Sequence, residues 1–185
     1  RTLGVVGLSL PEAIRSLAPD ATGAVADALV SNYKDSYAAG RHAAATSPLY
    51  PGALAALEAL AARPEALLGV ATGKSRRGLD HVMGMHDLAR FFVTTQVADD
   101  HPSKPHPAML EQTLRETGAA ARDAVMIGDT TFDMEMGRAA GFRTIGVGWG
   151  YHPAERLGAA GAHRVVGAFA ELPAALEALW LEDMA

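Results

Sequence analysis

From Ala53 onward the chain alternates between short, nearly continuous apolar runs and stretches whose apolar residues recur every three or four positions. The runs are "LLGVA", "FFVTT", "AVMIG", "TIGVG" and "RVVG", and each has the length of a buried strand. Between them lie helical patterns. One carries Leu54, Leu57 and Leu60 and stops before Pro64; the next bears Leu79, Val82 and Met83. A third contains Met109, Leu110 and Leu114 and ends at Gly118, and a fourth follows Thr131 and ends at Gly141. "PAALEALWL" closes the series. Strands apolar on both faces, separated by helices, predict an α/β protein whose parallel sheet is covered on both sides. Right-handed crossovers should connect the strands.

The beginning of the chain differs. Residues 9 to 40 read as two helices with no strand between them. Ser9 and Glu12 form a capping-box pattern ahead of "AIRSLA". The second helix is expected from about Asp20 to Ala39, with Val25, Leu29, Tyr33 and Tyr37 on one stripe and Gly40 as its stop. "GRHAAATSPLYPG", residues 40 to 52, is small, polar and broken by prolines, and reads as a linker.

Composition narrows the partners. Of 185 residues, 49% are hydrophobic and 20% charged, as in ordinary globular proteins. A formal net charge of −5 speaks against nucleic acid and against a membrane surface as partners. With no cysteine, disulfides and thiolate chemistry are excluded, and a cytoplasmic location is expected. Nothing in the sequence speaks to oligomeric state.

Ligands of open parallel sheets bind at the carboxyl ends of the strands. Thr72, Gly73 and Lys74 end the "LLGVA" run, Lys104 follows "FFVTT", and Asp129 follows "AVMIG". A hydroxyl, a backbone amide, an ammonium and a carboxylate together suit a phosphoryl group and Mg²⁺. Asp133, four residues after Asp129, either caps the following helix or faces a cation. His101 and His106 lie in a proline-rich loop and read as solvated rather than metal-binding. Lys104 in the same loop should pack little, so that its replacement by Ala would leave folding intact. "GVATGKS" imitates a triphosphate-binding loop, but the position five before Gly73 is Leu68, with Gly69 one residue out of register. An ATPase is therefore rejected.

"VATGKS", "SKPHPAML", "MIGDTTFDMEMGRAAG" and "GVGWGYHPAERLGAAGAHRVV" occur in that order. This series resembles the haloacid dehalogenase-like (HAD) hydrolase superfamily, and within it the phosphoglycolate-phosphatase-like branch. "VGLSLPEAIRSLAP" is similar to the helical cap of those enzymes. The resemblance implies a Rossmann-like parallel sheet covered by helices on both faces, with a small α-helical cap. Residues 1–46 would be a partial helical cap and residues 47–185 the α/β hydrolase core lacking its first strand. The implied activity is Mg²⁺-dependent hydrolysis of a small phosphorylated metabolite through an aspartyl-phosphate. Thr72 and Lys104 would be catalytic, and Thr72, Gly73 and Lys104 would bind phosphate. Asp129 and Asp133 would form the metal site, Asp133 directly or through water.

One departure is large. The family's first strand ends in D-x-D-G-T, and no D-x-D occurs in this sequence. The nucleophilic Asp is expected upstream of Arg1, on a strand lying between those that end at Thr72 and Asp129. Those two should then stand about 10 Å apart, two strand spacings, without pairing. Two alternatives stay open: a 2-haloacid dehalogenase, and a non-catalytic, truncated binding or regulatory module.

Overall fold

The computed structural model describes residues 2–43 and 48–181. It opens with a 3₁₀ turn, Thr2–Val5, followed by helices α1 (Leu10–Leu17) and α2 (Ala24–Ala43). The capping box expected at Ser9 does not form. Ser9 is the N-cap of α1 but its side chain bonds no helix amide. Glu12 pairs instead with exposed Arg15 at 2.5 Å. The Ser9 backbone N–H donates to Ser103 Oγ at 2.8 Å, tying this segment to the loop that carries Lys104. Helix α2 also runs past Gly40, its expected stop. A mid-helix glycine costs only about 1 kcal/mol and ends a helix only where the backbone turns left-handed. The expected boundary between residues 46 and 47 lies outside the described residues.

The remainder alternates as the pattern predicts: α3 (Ala53–Ala61), β1 (Gly69–Thr72), α4 (Arg76–His86), β2 (Thr94–Val97), α5 (Ala108–Thr117), β3 (Val125–Gly128) and α6 (Thr131–Ala139). There follow β4 (Arg143–Val147), α7 (Ala154–Ala159), β5 (Arg164–Val166) and α8 (Leu172–Leu181). The second strand begins later than "FFVTT" suggests. Ala89–Phe91 form a 3₁₀ turn, and Phe91 and Phe92 pack on Leu79, Met83, Leu88 and Val97 beneath α4. Helix α7, inside "HPAERLGAAG", is absent from the sequence-based expectation; Pro153 at its N-cap was its start signal.

All pairings are parallel, in two sheets: β1 with β2, and β3 with β4 with β5. Among the described residues β1 and β3 share no ladder. The period-2 alternation of strands places successive residues on opposite faces. Val125 and Ile127 of β3 join Ile145, Val147 and Leu60 in a cluster closed by Leu172, Leu176 and Leu179 of α8. Met126, between them, joins Met109 and Leu110 of α5 and Met136 of α6 on the other face. Both faces are thus helix-covered. No helix of the described residues is long and apolar enough to cross a membrane.

The stripe expected on α2 is exposed over Val25 and Tyr33, at 61% and 52%.

Candidate active site

The carboxyl ends of β1 and β3 carry the polar residues singled out above, and the Lys104 loop joins them. Lys104 Nζ donates to the Ala71 carbonyl of β1 at 3.0 Å and to Asp133 Oδ1 at 2.6 Å. Both side chains are buried, at 6% and 5% exposure. Lys104 is therefore not the solvated loop lysine that the proline-rich sequence around it suggests. Its ammonium ties β1 to α6, so its removal would strand a buried carboxylate.

Asp133 is fully engaged. Its Oδ2 accepts from the Thr130 N–H at 3.0 Å and from the Thr130 hydroxyl at 2.7 Å. Thr130 Oγ1 in turn accepts from the Asp133 N–H, completing a capping box at the start of α6. The Asp133 side chain lies so close over β3 that a Cβ on Gly128 would stand 2.3 Å from the Asp133 Cβ. Of the roles read for Asp133 from the sequence, the helix cap is formed, and the cation beside it in the structure is Lys104.

Asp129 is held differently. Its Oδ2 accepts from the Tyr151 N–H at 3.0 Å, and its carbonyl accepts from the His152 N–H at 3.1 Å. A Cβ on Gly150 would stand 2.1 Å from the Asp129 Cβ, so the loop after β4 is moulded around this aspartate. Among the described residues its Oδ1 has no hydrogen-bond partner. The half-buried Thr72 hydroxyl accepts from the Lys74 N–H at 3.2 Å, which leaves its own proton to donate. Gly73 lies under the N-terminal segment: a Cβ there would meet the Leu8 and Gly7 carbonyl oxygens at 2.7 and 2.8 Å. Gly7 itself packs on Thr130. Residues 7–9 therefore span the mouth of the site from β1 to α6.

The other histidines and cations of interest lie elsewhere. His101 Nε2 is 2.8 Å from Gln96 Oε1, in a network with Thr94 and Glu116 along β2. The Thr94 hydroxyl bond, assisted by Gln112, Gln96 and the charge of His101, holds the Glu116 carboxyl below the usual carboxylate range, against a smaller opposing effect of burial. His106 Nδ1 accepts from the Ala108 N–H at 3.2 Å. Arg76 is spent on Thr95 and Asp100.

Sequence reasoning missed Gly128, Gly150, Ser103 and His152. The dipeptides Gly-Asp and Gly-Tyr were visible, but close approach to a glycine is a tertiary fact. His152, 3% exposed, lay in a motif used only for resemblance.

A family model for haloacid dehalogenase-like hydrolases matches residues 2–147. The chain belongs to that family. Its fold superposes on that of a hydrolase from Pseudomonas syringae with a TM-score of 0.81 at 22% identity, covering 95% of this chain and 80% of that one. Among HAD-like relatives, the chain is 35% identical over 133 residues to "Probable phosphatase IndB" of Dickeya dadantii, covering 71% of this chain and 57% of the relative. It is 35% identical over 147 residues to a phosphoglycolate phosphatase of Rhodospirillum rubrum, covering 77% of this chain and 59% of the relative. The chain thus spans less than two thirds of the length of these HAD-like relatives.

The donor set bears on the metal that the family implies. No group of three His, Cys, Asp or Glu among the described residues could hold an ion. Mg²⁺, however, is characteristically held by one or two carboxylates and completes its shell with water and substrate phosphate. Asp129, whose Oδ1 has no hydrogen-bond partner among the described residues, fits such an ion; Asp133 has both oxygens on protein donors, Lys104 and Thr130.

Proposed function

We propose that these residues form the phosphate- and metal-handling part of a Mg²⁺-dependent phosphatase acting on a small phosphorylated metabolite. The observation that carries this reading is Lys104, buried at the carboxyl end of β1 and bonded both to the Ala71 carbonyl beside Thr72 and to Asp133 of α6, the helix that follows Asp129 at the carboxyl end of β3. In this reading the Thr72 hydroxyl and the Gly73 amide donate to phosphate oxygens. Lys104, held by Ala71 and Asp133, supplies fixed positive charge beside them. Such pre-set charge is what stabilises a transferring phosphoryl group, because it needs no rearrangement during reaction. Asp129 would hold Mg²⁺, which supplies Lewis-acid neutralisation of phosphate charge.

The nucleophile belongs on a strand seated between β1 and β3. Its carboxylate would attack phosphorus and release the alcohol, and water would then hydrolyse the aspartyl-phosphate. Residues 7–9, lying across the mouth, are suited to exclude bulk water in the first step. The relatives that are named phosphatases favour this chemistry over halide release.

The test is a Mg²⁺ titration of phosphate release from a panel of phosphorylated metabolites by the intact encoded protein, paired with Asp129→Asn. Turnover should require Mg²⁺ and fall about a hundredfold or more in the variant. Hydrolysis independent of Mg²⁺, or an unaffected Asp129→Asn, would overturn the proposal. Binding of phosphate esters without turnover would favour a non-catalytic module, the reading that the lack of D-x-D keeps open.

A further inference from the structure

We infer that His152 is a positioning residue for Asp129: its neutral imidazole pins the loop after β4 to the first turn of α6 and so sets the pose of the Asp129 carboxylate. His152 is 3% exposed. Its Nδ1 accepts from the Thr131 N–H at 3.0 Å. A ring nitrogen that accepts carries no proton, so the proton of the neutral ring is on Nε2. That atom is buried and has no partner among the described residues. The ring stands edge to face with Phe132, centroids 5.7 Å apart.

The first amides of a helix have no partner within it and must find one outside. In α6 the Thr130 and Asp133 amides are taken by the capping box, and the Thr131 amide is taken by His152. The His152 ring thus ties the loop to the start of the helix. One residue earlier, the Tyr151 N–H holds Asp129 Oδ2. The His152 N–H holds the Asp129 carbonyl. Gly150 supplies the space against which the Asp129 side chain rests. If the ring lost its hold on Thr131, all three restraints on Asp129 would loosen together. Groups that orient a metal-binding side chain commonly change metal affinity about 10- to 100-fold when removed.

The inference rests on the reading of Asp129 as the metal-binding carboxylate, and the test separates the two. His152→Asn keeps an acceptor oxygen near the place of Nδ1, whereas His152→Gln moves it toward the place of Nε2. In the intact protein, three quantities are read: hydrogen exchange of the Thr131 amide, the NMR shift of the Asp129 carboxyl carbon, and the Mg²⁺ concentration giving half of the metal-induced thermal shift. His152→Gln should speed Thr131 exchange, move the Asp129 signal and raise the half-saturating Mg²⁺ about tenfold or more. His152→Asn should restore all three toward wild type. If Gln leaves Thr131 exchange and the Asp129 signal unchanged, or if Asn behaves as Gln does, the inference fails, whatever the melting temperature. Asp129→Asn is the control: a wild-type Mg²⁺ response there sinks the metal reading alone. The exchange and carboxyl measurements, which need no metal, then decide the role of His152.

Discussion

Lys104→Met is the perturbation that most directly tests how the site is built into the fold. Met retains most of the bulk and removes the charge. In the folded protein Lys104 Nζ lies 2.6 Å from Asp133 Oδ1, and both side chains are about nineteen-twentieths buried. Asp133 Oδ2 would keep its two Thr130 donors, but Oδ1 would be left charged and without a donor in a dry setting. Removing one partner of such a pair costs about 3–5 kcal/mol. For a chain of this size each kcal/mol lowers the melting temperature by about 2–4 °C, so a drop of roughly 6–20 °C is expected.

The pair is isolated by a double-mutant cycle in urea. Asp133→Asn removes the negative charge while an amide oxygen can still accept from Thr130. The double variant Lys104→Met/Asp133→Asn should be less destabilised than the sum of the singles by about 1 kcal/mol or more. If Lys104→Met costs under about 0.5 kcal/mol, as surface substitutions do, the ammonium is solvated and the bridge does not exist in solution. A cycle that closes additively would mean that Lys104 and Asp133 are each needed, but not for one another.

Two further outcomes follow from the same coordinates. The depressed Glu116 carboxyl contributes stability that is present above its unfolded-state value and lost as pH falls through its lower folded value, so Glu116→Gln should flatten the acid side of the stability profile measured by urea unfolding; because Glu116 is exposed the effect is small, and an unchanged profile would remove the network from the account. Gly128→Ala, whose methyl would stand 2.3 Å from the Asp133 Cβ, should cost about 1–3 kcal/mol by overpacking, and a neutral result in thermal melts would show that Asp133 does not lie over β3.

Much of the core was legible because apolar period reports burial directly. β3, between Ala124 and Asp129, is apolar over its whole length, and "AVMIG" marks it almost to the residue. The second strand was misplaced by three residues because Phe91 and Phe92 outweigh Thr94, Thr95 and Gln96 on any apolar count. Those aromatics cap a helix-side cluster, while the true strand has a polar outer edge bonded to Arg76 and Glu116. Local signals at helix ends were weaker still. The Ser9–Glu12 pattern is as good a capping box on paper as Thr130–Asp133, yet only the second forms. What decides between them is tertiary: the Ser9 N–H that a capping-box Glu12 would need is given to Ser103 Oγ instead.

The candidate site was legible as positions but not as bonds. Strand ends told where Thr72, Lys104, Asp129 and Asp133 would gather, and nothing in the sequence told which carboxylate would meet the lysine. The answer divides their labour. Asp133 faces a permanent, covalently supplied cation and so belongs to the fold, binding β1 to α6 through Lys104. Among the described residues Asp129 bonds no cation and is held at one carboxylate oxygen, and it rests against Gly150, where a side chain would find no room. A carboxylate restrained in this way keeps a defined direction without being neutralised. Such a carboxylate is suited to a positive charge that arrives with a ligand, as the proposed function requires. Lys104 ties β1 to α6, the helix that packs on β3, so the group that steadies phosphate in the proposed reaction also fastens the fold at this end. A loss of stability and a loss of turnover at Lys104 are therefore two readouts of one contact.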